Sequence, residues 1–248
     1  MKLVIENLSK SFDQKEVIKD ASYDFEKGTV YALLGRNGAG KTTLFRLITE
    51  AIKKDSGEIY IEEDGTKTPV SFDDVFMMVA EPDLPKFLTG YEFIRFFIDA
   101  NRENIKDLKD IDYYLDLVDF DEEDSHRLIQ SYSTGMKNKI QMLMFLILKP
   151  RIILMDEPLT SLDVVVSLQM KKIIRQIHED HIMIFSTHIL QLAKDICDKI
   201  VLLSEKKLSG LDDSYLADPD FEDKSVSYTH LTLPTTCTRC RSRWSPDH

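Results

Sequence analysis

The chain lacks an excess of basic residues: 32 Lys and Arg stand against 43 Asp and Glu, for a net charge of −11. Such a chain has no surplus cations to displace counterions from nucleic-acid phosphates, so unassisted nucleic-acid binding is not expected. Long hydrophobic runs are missing as well. The best, 142–148, is stopped by Lys149-Pro150-Arg151, well short of the ~18 apolar residues needed to cross a bilayer. The expectation is a soluble, cytoplasmic protein that meets a membrane only through a partner. Met1-Lys2-Leu3-Val4-Ile5-Glu6 reads as the start of a strand, not as a signal peptide. Cysteine is scarce, at three residues. Nothing suggests disulfides, which agrees with a reducing compartment. No sustained heptads are present, so a long coiled coil is not expected.

What the chain does have is length and apolar content for one substantial α/β core: 248 residues, 43% hydrophobic. Residues 1–30 and 55–75 look strand-rich. Glu58-Ile59-Tyr60-Ile61 alternates before Asp64-Gly65, which predicts a hairpin. Residues 83–130 read as helical and charged. Phe93, Phe96, Phe97 and Ile98 are spaced for one helix face, and Tyr113, Leu115, Leu117 and Val118 open a second such segment. From 151 onward strands and helices alternate, which predicts a largely parallel sheet with crossover helices. Val166, Met170, Ile173, Ile174 and Ile177 supply the apolar face of a long helix.

The most informative stretch is Gly35-Arg36-Asn37-Gly38-Ala39-Gly40-Lys41-Thr42-Thr43, preceded by the apolar 30–34 and followed by the helix-like 44–48. Strand, glycine loop and helix in that order fit the phosphate-cradling pattern G-x-x-x-x-G-K-[ST]. The glycines let successive N–H groups turn inward toward phosphate oxygens, and the helix adds its positive end. Lys41 would reach the β- and γ-phosphates, and the Thr42 hydroxyl would complete the shell of a Mg²⁺ ion. A second apolar run, Arg151-Ile152-Ile153-Leu154-Met155, ends in Asp156-Glu157-Pro158. Asp156 is placed to hold Mg²⁺ directly or through water, and Glu157 to polarise an attacking water.

With Tyr132-Ser133-Thr134-Gly135-Met136-Lys137 between these two motifs, the chain resembles the ATP-binding cassette family, the nucleotide-hydrolysing subunits of ABC transporters. The family signature Leu-Ser-Gly-Gly-Gln is matched by Ser133 and Gly135; Tyr132, Thr134 and Met136 depart from it. The resemblance covers roughly residues 1–210. It implies a P-loop NTPase (RecA-like) core with a parallel sheet, an antiparallel β subdomain and a small α-helical subdomain at about 83–149, within a cassette of residues 1–226. It further implies that Ser133, Thr134 and Gly135 meet the γ-phosphate held by a second subunit, so that each ATP site is shared across a homodimer or a heterodimer with a paralogue. Thr160-Ser161-Leu162-Asp163 looks like the loop crossing that interface. His188, after Phe185-Ser186-Thr187, resembles the switch histidine. Phe12 stands where the family stacks adenine. The groove of the helical subdomain would grip a cytoplasmic helix of an integral membrane permease. The family's usual glutamine between the first two motifs is missing from Val79-Ala80-Glu81-Pro82. Either Ala80 fills that position and the contact is lost, or Glu81 fills it and brings a carboxylate to the metal.

Two other classes share parts of this pattern. Soluble cassette proteins of DNA maintenance or translation tend to carry long coiled coils or two cassettes, and neither is present here. A P-loop kinase or GTPase would lack the signature serine and glycine and the switch histidine. The last 22 residues differ from the rest: 227–248 hold the one Trp, two of the three cysteines, three Arg and one Asp, for about +2, which leaves about −13 for residues 1–226. Their composition suggests non-native sequence. Cys237-Thr238-Arg239-Cys240 lacks the two further ligands of a structural zinc site.

Overall fold

The computed structural model describes residues 1–158, 164–188 and 190–211. β1 (Lys2–Phe12) and β2 (Lys15–Glu26) form an antiparallel pair, and β1 pairs on its other edge with β4 (Ser56–Glu63). β4 turns into β5 (Thr66–Pro69) through Asp64 and Gly65, with φ of 51° and 77°. Two left-handed residues in a two-residue loop match the right-handed twist of a hairpin, and Asp-Gly tolerates them. The resulting four-stranded sheet has the order β2-β1-β4-β5.

A second sheet holds the site. β3 (Thr29–Leu34), β6 (Val75–Met78), β7 (Ile152–Asp156), β8 (Ile182–Thr187) and β9 (Lys199–Ser204) run parallel. β10 (Lys207–Gly210) closes one edge antiparallel to β9, in the order β10-β9-β3-β8-β7-β6. β3, β7, β8 and β9 are apolar on both faces because both faces are covered. Along β3, Val30, Ala32 and Leu34 enter one hydrophobic core, while Tyr31 and Leu33 enter the other. β7 and β8 divide in the same way: Ile153, Met155, Met183 and Phe185 to one side, Ile152, Leu154, Ile182 and Ile184 to the other. The antiparallel sheet and α1 (Lys41–Ile48) cover the second core.

Over the first core lie α2 (Gly90–Ala100), α3 (Ile111–Leu117), the short α4 (Glu122–Ser125), α5 (Thr134–Leu148), α6 (Val164–Ile177) and α7 (Leu190–Ile196). Val166, Met170, Ile173 and Ile174 are buried on α6, as their spacing predicts. The expected aromatic face of α2 divides instead. Phe93 and Ile98 are buried, but Phe96 is 61% exposed, because its position points away from the side that packs on α5. Likewise Leu115 and Val118 are buried, while Tyr113 and Leu117 face out. No helix among the described residues is long and apolar enough to cross a membrane. Residues 227–248, with Cys237 and Cys240, lie outside the described residues.

Candidate functional site

β3, β8 and β7 are consecutive in the sheet, so the loops leaving their carboxyl ends emerge side by side. In open parallel sheets this edge is where ligands bind. Here it carries the glycine loop after β3, Asp156-Glu157 at the end of β7 and His188 after β8. A cavity of about 860 Å³ opens there, lined by Phe12, Asn37, Gly38, Gly40, Lys41, Thr42, Thr43, Ala80, Asp156 and Glu157, together with the turn between β1 and β2.

The glycine loop is built by backbone conformation. Gly38 and Gly40 have φ of 80° and 110°, a region that side chains rarely enter. A Cβ on Gly40 would also stand 2.8 Å from Val17 Cγ1. α1 starts directly after Gly40 with no side-chain cap and no acidic residue in its first turn. Its first N–H groups are therefore not satisfied by a side chain, and the dipole favours an anion there. Lys41 is 7% exposed. Its ammonium donates to the carbonyls of Gly35 at 2.8 Å and Arg36 at 3.4 Å and lies 3.7 Å from Glu157 Oε1. Arg36 is exposed, and Gly35, Arg36 and Ala39 shape the loop without lining the cavity.

Three oxygen-bearing groups meet opposite the lysine. The Thr42 hydroxyl donates to Asp156 Oδ2 at 2.6 Å, and the Ser186 hydroxyl donates to Asp156 Oδ1 at 2.5 Å. The Glu157 amide donates to Ser186 Oγ at 3.0 Å and to the Ser186 carbonyl at 3.2 Å. Glu157 itself sits at φ 51°, a left-handed conformation that costs a non-glycine residue about 1–2 kcal/mol. Both of its carboxylate oxygens lie 3.0–3.1 Å from His188 Nδ1. A threonine hydroxyl beside one carboxylate is a hard-oxygen set. It suits Mg²⁺, which is commonly held by one or two such ligands with phosphate and water. No cluster of three His, Cys, Asp or Glu able to hold a metal occurs among the described residues.

Phe12 lines the cavity at 44% exposure. Asp55 braces the strand behind it, accepting from the Ser11 amide at 2.6 Å and the Lys10 ammonium at 2.8 Å. Those donors, Lys10 first, hold the Asp55 carboxyl below its usual range. The Lys10 ammonium lies 5.2 Å from the Phe12 ring centroid.

Not every expected residue converges. Ser133 caps α5, accepting from the Met136 amide at 3.3 Å, with Thr134 and Gly135 in the first turn. Ser133 and Thr134 are exposed, and none of the three lines the cavity. Ala80 lines the cavity, whereas Glu81 is exposed and outside the lining. The chain leaves β6 with Ala80, and not Glu81, beside the cavity. Asp163 lies outside the described residues, as do Thr160, Ser161 and Leu162.

Sequence reasoning missed two groups. One is Ser186, which with Thr187 ends the otherwise apolar buried strand β8. The other is Gln141, buried in the middle of α5. It accepts from the Val79 amide at 3.0 Å and donates to the Val79 carbonyl at 2.8 Å and to Asn138 at 3.0 Å.

A glycine loop between β3 and α1, with a strand-end aspartate reaching its threonine, defines a P-loop nucleotide-binding protein. Residues 18–160 match the ABC transporter family, and the chain belongs to it as an ATP-binding subunit of the ABC ATPase class. The chain is 28% identical over 212 residues to an uncharacterized ABC transporter ATP-binding protein, YdbJ, of Bacillus subtilis, covering 84% of this chain and 68% of the relative. It is 32% identical over 208 residues to the spermidine/putrescine import ATP-binding protein PotA of Fusobacterium nucleatum, covering 82% of this chain and 55% of PotA. A solved ATP-binding subunit of an ABC transporter shares the fold at a TM-score of 0.74 and 23% identity, covering 93% of this chain and 98% of that one.

Proposed function

We propose that the chain hydrolyses ATP to power a separate integral membrane permease, working as a dimer of identical or paralogous cassettes at the cytoplasmic face of the cell membrane. One observation carries the reading. Lys41, Thr42, Asp156 and Glu157 share one cavity, while the helix terminus carrying Ser133, Thr134 and Gly135 faces outward elsewhere. A phosphate-binding half and an exposed complementary half on one chain fit sites completed by a second copy.

In this reading Phe12 stacks on adenine through its exposed face. Lys41 exchanges the Gly35 and Arg36 carbonyls for phosphate oxygens, and the N–H groups of residues 37–43 cradle them. Asp163 reaches across the dimer interface. Thr42 and Asp156 hold Mg²⁺, without Glu81. The ion, when bound, neutralises charge building on the β- and γ-oxygens. The Glu157 carboxylate accepts a hydrogen bond from the attacking water and draws its proton away as the water oxygen bonds to the γ-phosphorus, while the bond from that phosphorus to the β–γ bridging oxygen breaks and its electron pair leaves with ADP. His188, 3.0 Å from that carboxylate, keeps it aimed. ADP and inorganic phosphate leave, and the dimer reopens. Ala80 in place of glutamine leaves no side-chain amide to touch the metal from that loop.

Glu157→Gln is expected to keep ATP binding, to lower turnover by about 10²–10⁴-fold and to accumulate an ATP-bound dimer by size exclusion; wild-type turnover would remove Glu157 from the role of base. Lys41→Ala is expected to lose tight ATP binding by calorimetry. Purifying the Glu157→Gln protein from solubilised membranes with Mg-ATP should bring down a multi-span membrane protein in stoichiometric amount. Recovery of ribosomal or DNA-associated partners alone would rule out the permease.

A further inference from the structure

We propose that Ser186 is a positioning residue, its buried hydroxyl setting the orientation of Asp156 toward a divalent cation. The inference rests on the reading that Thr42 and Asp156 hold the metal. β8 is buried over its whole length, and Ser186 is 0% exposed. For packing alone, an alanine or valine would serve at such a place, since a buried hydroxyl is favourable only when its hydrogen bonds are made. Both uses of this hydroxyl go to the site. Its proton goes to Asp156 Oδ1 at 2.5 Å, and its oxygen receives the Glu157 amide at 3.0 Å.

Asp156 and Ser186 are direct partners across β7 and β8, so the sheet itself fixes the distance between them. Asp156 is then held at both oxygens, Oδ1 by Ser186 from the sheet side and Oδ2 by Thr42 from the glycine loop. The Thr42 bond belongs to the cavity and changes partner when the hydroxyl turns to a metal. The Ser186 bond does not face the cavity lining and stays. It keeps Oδ1 engaged in the sheet and leaves Oδ2 as the ligating oxygen. The second bond, to the amide of left-handed Glu157, ties the neighbouring residue to the same anchor. Groups that orient metal ligands from behind commonly change metal affinity by about 10–100-fold when removed.

The test uses the full chain, Mn²⁺ as a spectroscopic probe for the cation and a fluorescent ATP analogue. In EDTA, Ser186→Ala should bind the analogue as the wild type does. With ATP present, its Mn²⁺ affinity by electron paramagnetic resonance should fall about ten-fold, and the Mg²⁺ concentration for half-maximal hydrolysis should rise by a similar factor. Unchanged Mn²⁺ affinity in a folded Ser186→Ala protein overturns the proposal, as does equal loss of metal-free nucleotide binding. If Ser186→Ala does not fold, Ser186→Cys, close in size but a weak donor, carries the same reading, and wild-type Mn²⁺ affinity there overturns it equally. A wild-type protein that binds the analogue but takes up no Mn²⁺ with ATP would instead remove the metal assignment on which the proposal stands.

Discussion

His181, just before β8, is 6% exposed, with Nδ1 donating to the Pro150 carbonyl at 2.5 Å. Burial pushes its pKa below the ordinary value, and the Pro150 bond opposes that only in part. The folded chain therefore binds fewer protons at this ring than the unfolded chain between the lowered value and the ordinary one of about 6.5. Stability rises with pH through that window and is level above it. Melting temperature followed downward from about pH 8 should hold to about 6.5 and then decline, and His181→Gln should flatten the decline. An identical slope in the variant would place the titrating group elsewhere. Single residues of this kind differ in how far the sequence reveals them. Lys41, Thr42, Asp156 and Glu157 stand in motifs whose spacing follows from strand, loop and helix, His188 is marked only by the family resemblance, and all five lie close together in the fold. Ser186 stands in the same run, but its partners come from a strand thirty residues earlier. Only the sheet order makes them neighbours.

Tyr132, just before the Ser133 cap of α5, ties the helices together. Its hydroxyl accepts from the Gly90 amide at 3.1 Å and donates to the Asp124 carbonyl at 2.7 Å, joining the start of α2, α4 and the approach to α5. A side chain at Gly90 would collide with that hydroxyl. Tyr132→Phe strands a buried amide and should destabilise the chain by about 1–2 kcal/mol, read as a lower urea midpoint with the slope unchanged. No change would show that water replaces the contact. The elements themselves were unevenly legible. The β4–β5 hairpin is announced by Asp-Gly, whereas β9 and β10 are joined through Glu205 and Lys206, at φ of 48° and 68°, with no residue that advertises such a turn. β10 is invisible to pattern reading for that reason. The 83–130 stretch resolves into short helices separated by 101–110, because its apolar residues serve several partners and not one long face.

At the scale of the molecule, two cores share one largely parallel sheet, and among the described residues both are built from residues 1–211. Removing residues 227–248 should leave melting temperature and ATPase rate as in the full chain; a clear drop in either would make that segment part of the working protein. Gln141 has a larger mechanical meaning than its size suggests. Its amide holds both polar groups of Val79, one residue before Ala80 enters the cavity, and Asn138 holds the amide in turn. Sliding α5 along its own axis by even part of a turn would break both bonds at once and leave three partly buried polar groups unpaired. Gln141 thus fastens the middle of α5 to the chain leaving β6, two turns of helix from Ser133.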